Sequence, residues 1–572
     1  MAAEVTNDRK ETKTVFDSKF IEGLREAQKR YEEEVRGILG KIPDQEYITF
    51  SGLNVKPLYT PADVGEMDFY GDISFPGQYP YTRGVFPAGY LSRGLHIRQV
   101  SGLGTAEETN DRWRFLLSKG ANALAVVLDD GSGNRADSDD ERVQGLIGKG
   151  GVALETVYDY ETLFDGIDMV KYPVHLIAGS AYALACYLVV AEKRGINFAE
   201  LRGSMSNMMR PEPECLDIME YCARNVPLFN AGYLDMRNVR EGGCNAVQEI
   251  AYGVALAMAG SDALVRRGLE VDEFLHRITW FVNAGPEFFE EIAKFRAMRR
   301  VWSRVFRERY GAREPRSLLC RMHCQTYAPT LTAQQPFNNL IRSTIYALAA
   351  VLGGVQSLSV NSFDEAFAIP TEFSALLSVR TQQIIDLETG ITKVNDPLGG
   401  SYYLEWLTNK LEEEAMALID TIQEMGGAFE AWDWMCQEIR KEAARNQEEL
   451  ETGKRLLVGV NTLVEEDDVQ LKALKVLQEH ADFEALYEYS PAIVEKQVTR
   501  LNKVRHNRDP KKLETARKEL VDTMKAGRNM IGPLMEAVKC GLTQGEFAAI
   551  KAEVYNQAGE GPYLCRAPLV LA

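Results

Sequence analysis

The 572-residue chain has no apolar run long enough to cross a membrane, and its opening MAAEVTNDRKETK lacks the apolar stretch of a secretory signal. It has no surplus of positive charge. Against 83 Asp and Glu stand 65 Lys and Arg, a formal net charge of −18, which argues against a nucleic-acid binder and still allows a local basic cluster for an anionic small molecule. A cytoplasmic protein is expected. Histidine is scarce, with six residues at 96, 175, 276, 323, 480 and 506, none of them paired at metal-ligand spacing. The nine cysteines include no C-x-x-C pair and stand singly apart from Cys320 and Cys324, so they are expected to be buried thiols. No G-x-G-x-x-G follows a strand pattern and no Walker loop occurs, which removes two standard phosphate cradles. What is present is 45% apolar and 26% charged, enough for a sizeable core and too little polarity for disorder along the whole chain.

Residues 15–40 read as a helix, and 41–80 as an extended arm rich in Pro, Gly and Tyr. Eight short apolar runs then alternate with amphipathic stretches: 96–101, 123–128, 173–178, 203–207, 229–235, 277–282, 318–325 and 356–361. Thr105 and Glu108 form a capping box at the start of the first intervening helix. Strand–helix alternation repeated eight times predicts an α/β fold, a (β/α)8 TIM barrel over 81–400. An open doubly wound sheet is the alternative. The barrel is flanked by an N-terminal extended and helical arm (1–80) and a mainly helical C-terminal region (401–572). The mixed-charge run VTRLNKVRHNRDPKKLETARKEL reads as a solvated helix pair.

Barrel enzymes collect their reactive groups at the C-terminal strand ends. Reading the predicted strands in that way gathers Arg98, Gln99 and Val100; Asp129 and Asp130; Asn238, Arg240 and Glu241; Arg277 and Thr279; His323, Gln325 and Thr326; and Ser359, Asn361 and Glu365. The set is polar and rich in amides, with no Ser-His-Asp arrangement and no acid–base carboxylate pair. On pattern alone His323 reads more readily as a satisfied core histidine than as a reacting group. A site that positions and hydrogen-bonds without a nucleophile suits chemistry performed by a cofactor.

Several stretches carry a resemblance: YPYTRG (79–84), IRQVSGLGTAEETN (97–110), the DSDD run (137–140), FFEEIAKFRAMRRVW (288–302), HCQTYAPTLTAQQPFNNLIRST (323–344), LGGVQSLSVNSFDEAFAIPTE (352–372) and DPLGGSYYLEWLT (396–408). Through them the chain resembles the substrate-binding part of the adenosylcobalamin-dependent acyl-CoA mutases. That family includes methylmalonyl-CoA, isobutyryl-CoA and 2-hydroxyisobutyryl-CoA mutases. The resemblance implies a barrel threaded by coenzyme A with cobalamin across its C-terminal mouth, and an isomerase that rearranges an acyl-CoA by radical chemistry. It implies that Phe86, Arg93, Arg98, Arg277 and Thr279 bind coenzyme A and that Val100 meets the acyl group. Asn238, His323 and Gln325 would line the reacting centre, and Glu241, Asn361 and Glu365 would hold the cofactor. The family's cobalt-binding D-x-H-x-x-G motif surrounds none of the six histidines. The cobalt ligand is therefore expected from a separate small cobalamin-binding subunit, in a heterotetramer of two large and two small chains, with a G-protein chaperone as a further partner for cofactor loading. Alone, the chain is expected to be inactive.

Three departures from the family bear on the substrate. Val100 stands where Tyr, Phe or Ile is usual. The segment GSMSNMMRPEPE (203–214) is short and lacks the usual selector of the acyl group, and Arg210, Arg237 and Arg240 remain candidates to replace it. Asn238 replaces a histidine, and an amide donates a hydrogen bond without supplying a proton; Ser359 stands where a second histidine is common. Each change removes bulk or a polar contact around the acyl end. The expectation is a bulky substrate, phenylsuccinyl-CoA or 2-aminophenylsuccinyl-CoA rearranging to the benzylmalonyl-CoA form. The alternative is an isobutyryl-CoA/butyryl-CoA or 2-hydroxyisobutyryl-CoA mutase. A third reading, a non-catalytic acyl-CoA-binding paralogue, sits poorly with the retention of Gln325, Asn361 and Glu365.

Overall fold

The computed structural model describes residues 14–39, 47–133, 135–480 and 486–555. The readings made on 1–13, 40–46 and 556–572 lie outside the described residues.

Eight parallel strands form the centre. They are β1 (His96–Ile97 continued by Val100–Ser101), β2 (Leu124–Val127), β3 (Val174–Ile177), β4 (Gly203–Met205), β5 (Phe229–Asn230 continued by Gly232–Asp235), β6 (Ile278–Ala284), β7 (Arg321–Thr326) and β8 (Ser357–Ser359). Each is followed by a helix, from Ala106–Ser118 after β1 to Glu372–Leu387 after β8. The expected capping box is present, with Thr105 and Glu108 each satisfying the other's backbone N–H.

The ladders run β1-β2-β3-β4-β5 and β5-β6-β7-β8-β1. Both sequences share their end strands, so the ring is a (β/α)8 barrel made of two half-shells. β1 and β5 are the seams. In each, one piece pairs with the strand before it in the ring and the other piece with the strand after it. At the first seam Gln99 does the work of a peptide group. Its Nε2 donates to Val360 O and its Oε1 accepts from Val360 N, both at 2.9 Å. Oε1 also accepts from Gln382 Nε2 at 2.7 Å. At the second seam Tyr233 N donates to Asn207 O at 2.9 Å. Backbone groups that the ladder abandons must find partners elsewhere when buried, and these contacts supply them.

The strands are two-faced although buried on both sides. Leu234, Trp280, Val282, Met322, Cys324 and Leu358 face the helices and join the main core, while the alternate residues face the axis. Outside the ring, Tyr402–Glu424 buries Leu404, Leu407, Leu411, Ala415, Ile419 and Ile422, a helical spacing that lays one stripe on the barrel helices. Ion pairs from Arg296 to Glu405 and from Arg300 to Glu412 fasten it there. The arm packs on the same helix through a cluster of Val64, Met67 and Ile73 against Tyr402 and Trp406.

The mixed-charge run differs from its reading as a solvated pair. Its helices dock on the barrel, with Arg500 2.9 Å from Asp159, Arg505 2.8 Å from Asp137 and Arg508 2.6 Å from Glu546. Their charges are matched by acids that lie far away in sequence, which a charge pattern alone does not reveal. Of the eight described cysteines, seven are buried and Cys540 is half-buried.

Candidate active site

Alternation along the strands builds the site. Because successive side chains point to opposite faces, Arg98 and Val100 on β1 share the inner face, as do Phe281 and Asn283 on β6 and His323 and Gln325 on β7. Contacts between strands that are not neighbours prove that this face is the barrel interior. His175 of β3 stacks on Tyr233 of β5 with ring centroids 4.4 Å apart, and Tyr233 lies 5.9 Å from Phe281. Phe281 in turn stacks on His323 at 4.9 Å. These four rings form a layer across the axis.

A polar atom within this layer lacks a protein partner. His323 Nε2 is closed off from solvent with no hydrogen-bond partner among the described residues, and Arg98 Nε and one Nη are closed off beside the Tyr233 hydroxyl that faces them. Buried polar groups left this way are costly and call for an explanation. Burial pushes the Arg98 guanidinium down to about 10. Burial and the Arg98 charge hold His323 and His175 well below the ordinary imidazole range, so both rings are neutral near pH 7.

The N-terminal end of the barrel is basic. Arg277 precedes β6 and Thr279 is its second residue, so the two stand at the end opposite the one that the strand reading assigned. The strand begins later and runs further than its apolar core suggests. Around Arg277 gather Arg321, Arg316 and Arg202; burial first, and then these three charges, push Arg277 down to about 10. Arg321 is likewise pushed to about 10 by burial and then by Arg93 and Arg316. Arg93 lies over the Phe86 ring, 4.2 Å from Cζ to centroid, in a cleft that also contains Arg83 and His96. Arg202, Arg316 and Arg321 were not singled out from the sequence. The signal available was that Arg202 directly precedes β4 and Arg321 opens β7, so both sit at the same end of the ring.

The C-terminal mouth carries amides and carboxylates. Gln325 and Asn361 are buried and joined, the Gln325 Nε2 donating to Asn361 Oδ1. Asn361 spends its remaining groups on Thr326, with N to Oγ1 and Nδ2 to O both at 2.8 Å. Glu241 accepts from Arg237 at 3.0 Å and from Asn283 at 3.2 Å. Glu365 is half-buried and makes no side-chain hydrogen bond among the described residues; burial, and then the Glu241 charge, push its carboxyl up to about 7. Asn238 is exposed at the rim, donating to Asp235 at 2.9 Å and accepting from Arg237 at 2.8 Å. Val100, Ser359 and Ser206 put little bulk at this level, with Val100 N 3.4 Å from Ser359 Oγ and Ser206 Oγ 3.4 Å from His175 Nε2.

The mouth thus offers a half-buried carboxyl with no partner and a fixed glutamine, groups that suit the hydroxyls and ring nitrogens of a nucleoside. Among the described residues no group of three or more His, Cys, Asp or Glu could hold a metal ion, and no helix is long and apolar enough to cross a membrane.

The family model for methylmalonyl-CoA mutase matches residues 48–557. The chain is 35% identical over 552 residues to the 2-hydroxyisobutanoyl-CoA mutase large subunit of Aquincola tertiaricarbonis, covering 92% of this chain and 96% of that one. It is 37% identical over 560 residues to the methylmalonyl-CoA mutase of Cereibacter sphaeroides, covering 94% and 76%. Against the human mitochondrial methylmalonyl-CoA mutase the figures are 36% over 541 residues, covering 91% and 70%. A match across nearly the whole described chain, on a barrel with one arginine-rich end and one amide-lined mouth, settles the kinship: the chain belongs to the methylmalonyl-CoA mutase family.

Proposed function

We propose that the chain is the substrate-binding subunit of an adenosylcobalamin-dependent acyl-CoA mutase, an isomerase of carbon skeletons. The observation that carries this reading is the polarity of the barrel. Five arginines at the N-terminal end, Arg93, Arg202, Arg277, Arg316 and Arg321, suit the phosphates of coenzyme A. The interior below the mouth holds Arg98 and Tyr233 facing each other and His323 Nε2 with no partner among the described residues. In this arrangement Phe86 and Arg93 take the nucleotide part, Thr279 and Arg98 the pantetheine arm, and His323 Nε2 the thioester oxygen. Gln325 is oriented by Asn361 toward the reacting carbons, and the rim pair of Arg237 and Asn238 closes the acyl end.

When bound, adenosylcobalamin supplies the radical that abstracts hydrogen from the acyl group. Glu241, Asn361 and Glu365 are the residues that would hold it, Glu365 with its free carboxyl and Asn361 through Gln325. The four-ring layer and the seam contacts at Gln99 keep water from the interior, which protects a reactive species from side reactions. A separate small subunit supplies the cobalt ligand, which the likeness to a protein named as a large subunit supports; the complex holds two large and two small chains and is loaded with the help of a G-protein chaperone. The setting is the cytoplasm.

For the acyl group, the small side chains of Val100, Ser206 and Ser359 favour a bulky substituted succinyl-CoA, phenylsuccinyl-CoA or 2-aminophenylsuccinyl-CoA, isomerised to the benzylmalonyl form. The second reading, a 2-hydroxyisobutyryl-CoA or isobutyryl-CoA mutase, is favoured by the same large-subunit likeness. The test combines the chain with a cobalamin-binding subunit, adenosylcobalamin and these acyl-CoAs together with methylmalonyl-CoA, and follows isomers by mass spectrometry. Turnover of the aryl substrate above the others is expected. Fastest turnover of methylmalonyl-CoA overturns the wide-pocket argument, and no turnover of any acyl-CoA favours the binding paralogue.

A further inference from the structure

The stretch after β2 carries three carboxyls outside the candidate site. Asp137, Glu155 and Asp159 are each no more than 4% exposed, and they meet the helix Ala492–Asn507, which comes from the far end of the chain. That helix buries Ile493, Gln497, Leu501 and Val504, a stripe at helical spacing. Ile493 sits on Gly104 and Gly148, where a Cβ at either would lie 2.6 Å from one of its carbons. Gly104 follows the C-terminal end of β1. The helix therefore walls the rim of the mouth beside the strand that carries Val100.

Gln497 brings one uncharged amide to two carboxyls. Its Nε2 donates to Glu155 Oε1 at 2.9 Å and to Asp159 Oδ1 at 3.3 Å. Asp159 also takes Arg500 at 2.9 Å, and Arg500 turns its other arm to Glu107. Asp137 takes Arg505 at 2.8 Å, with Thr543 Oγ1 at 2.6 Å and Gly545 N at 2.8 Å, while Arg505 reaches on to Asp139. No ion pair reaches Glu155 among the described residues. Its carboxyl accepts from Ser138 Oγ at 2.8 Å and from Ser138 N. Its backbone oxygen accepts from the Tyr182 hydroxyl and from Gln544 N, both at 2.9 Å, and burial keeps that phenol protonated. The two arginines are thus spent on the neighbours, and Glu155 stands between two acids with neutral donors only. Two carboxylates served by one buried amide do not both ionise cheaply. The proton falls to Glu155: burial first, and then the Asp159 charge, push its carboxyl up to about 8.

We propose that Glu155 is a proton-operated latch on the rim of the barrel: with its carboxyl protonated the helix Ala492–Asn507 is held against the ends of β1 and β2, and loss of that proton loosens the helix. The device does not depend on which acyl-CoA the barrel takes.

The sign follows from linkage. Once the helix lifts, water reaches Glu155 and its carboxyl returns to an ordinary value of about 4.3. Between that value and about 8, lifting the helix releases one proton, so the opening constant rises up to about tenfold per pH unit. Amide hydrogen exchange of the full chain, corrected for the intrinsic pH dependence of exchange, reads that constant. For the helix Ala492–Asn507 it should rise about tenfold per unit from about pH 6 to 8, while the core helix Ala181–Lys193 shows no such rise. Glu155→Gln keeps the carboxyl's shape without its proton, and its slope should drop to about twofold per unit or less. Asp159→Asn removes the charge that holds the proton in place, and the steep range should end about one pH unit lower. A measurement on the native chain uses infrared spectra with 13C-labelled glutamate. A protonated-carboxyl band should persist at about pH 7.5, vanish by about pH 9 and be absent from Glu155→Gln. A flat exchange profile in the native chain, a slope that survives Glu155→Gln, a slope shared by Ala181–Lys193, or no protonated glutamate at about pH 7.5 overturns the proposal.

Discussion

His323 Nδ1 lies 2.8 Å from Ser357 Oγ on the neighbouring strand, and that contact, with the stacking on Phe281, sets the ring so that Nε2 meets the axis. The ring is held neutral, as is that of His175. In the folded chain both imidazoles stay unprotonated, whereas in the unfolded chain they take up protons below about pH 6.5. The unfolded state then binds more protons, so these residues make the fold less stable as pH falls from 7 to 5, by up to about 2 kcal/mol each at pH 5. Glu155 and Glu365, with carboxyls pushed up to about 8 and about 7, act in the opposite direction. The comparison is therefore between native chain and His323→Gln in thermal melts at pH 5 and 7. The variant should lose less on acidification, and an identical loss rejects the neutral-ring assignment.

Val100 sits half-buried on the inner face beside Ser359. Val100→Phe should fill space at the acyl end. For the reconstituted enzyme, kcat/KM on a branched or aryl acyl-CoA should fall about tenfold or more, and on a small acyl-CoA by far less. Equal losses on both would show that Val100 does not border the acyl group.

Gln99 replaces ladder hydrogen bonds with its side chain. Gln99→Leu keeps the volume and strands the Val360 N–H and C=O in a buried place. The expected cost is about 3 kcal/mol, read as a lower urea midpoint. A shift below about 0.5 kcal/mol would mean that the seam closes by other contacts.

Among the described residues, the charges that act on Arg277 and Arg321 are those of other arginines. Arg277→Gln should raise the dissociation constant for CoA and for its acyl esters alike, about tenfold, with kcat in the reconstituted enzyme nearly unchanged. A loss confined to kcat would place Arg277 away from the coenzyme.

The sequence conveyed the ring well because strand–helix alternation is local: all eight strands fall within or beside the apolar runs. It also placed His323 and Gln325 on one face, since two residues along a strand always share a face. The seams were hidden because the partner of Gln99 is 261 positions away and a side-chain amide leaves no pattern of its own. The run 277–282 already put Arg277 at its first position, and the strand Ile278–Ala284 leaves it at the base of the ring, so grouping it with the mouth residues mistook the end and not the strand.

The arginines at the base of the ring have a consequence that reaches beyond contact distance. A chain with 18 excess negative charges would repel a polyanionic coenzyme, and the arginine end would invert that field locally. Diffusing thioesters should be drawn to one pole and turned away elsewhere, at rates that fall as salt shortens the range. The molecule then admits its ligand from a single direction before any specific group has touched it.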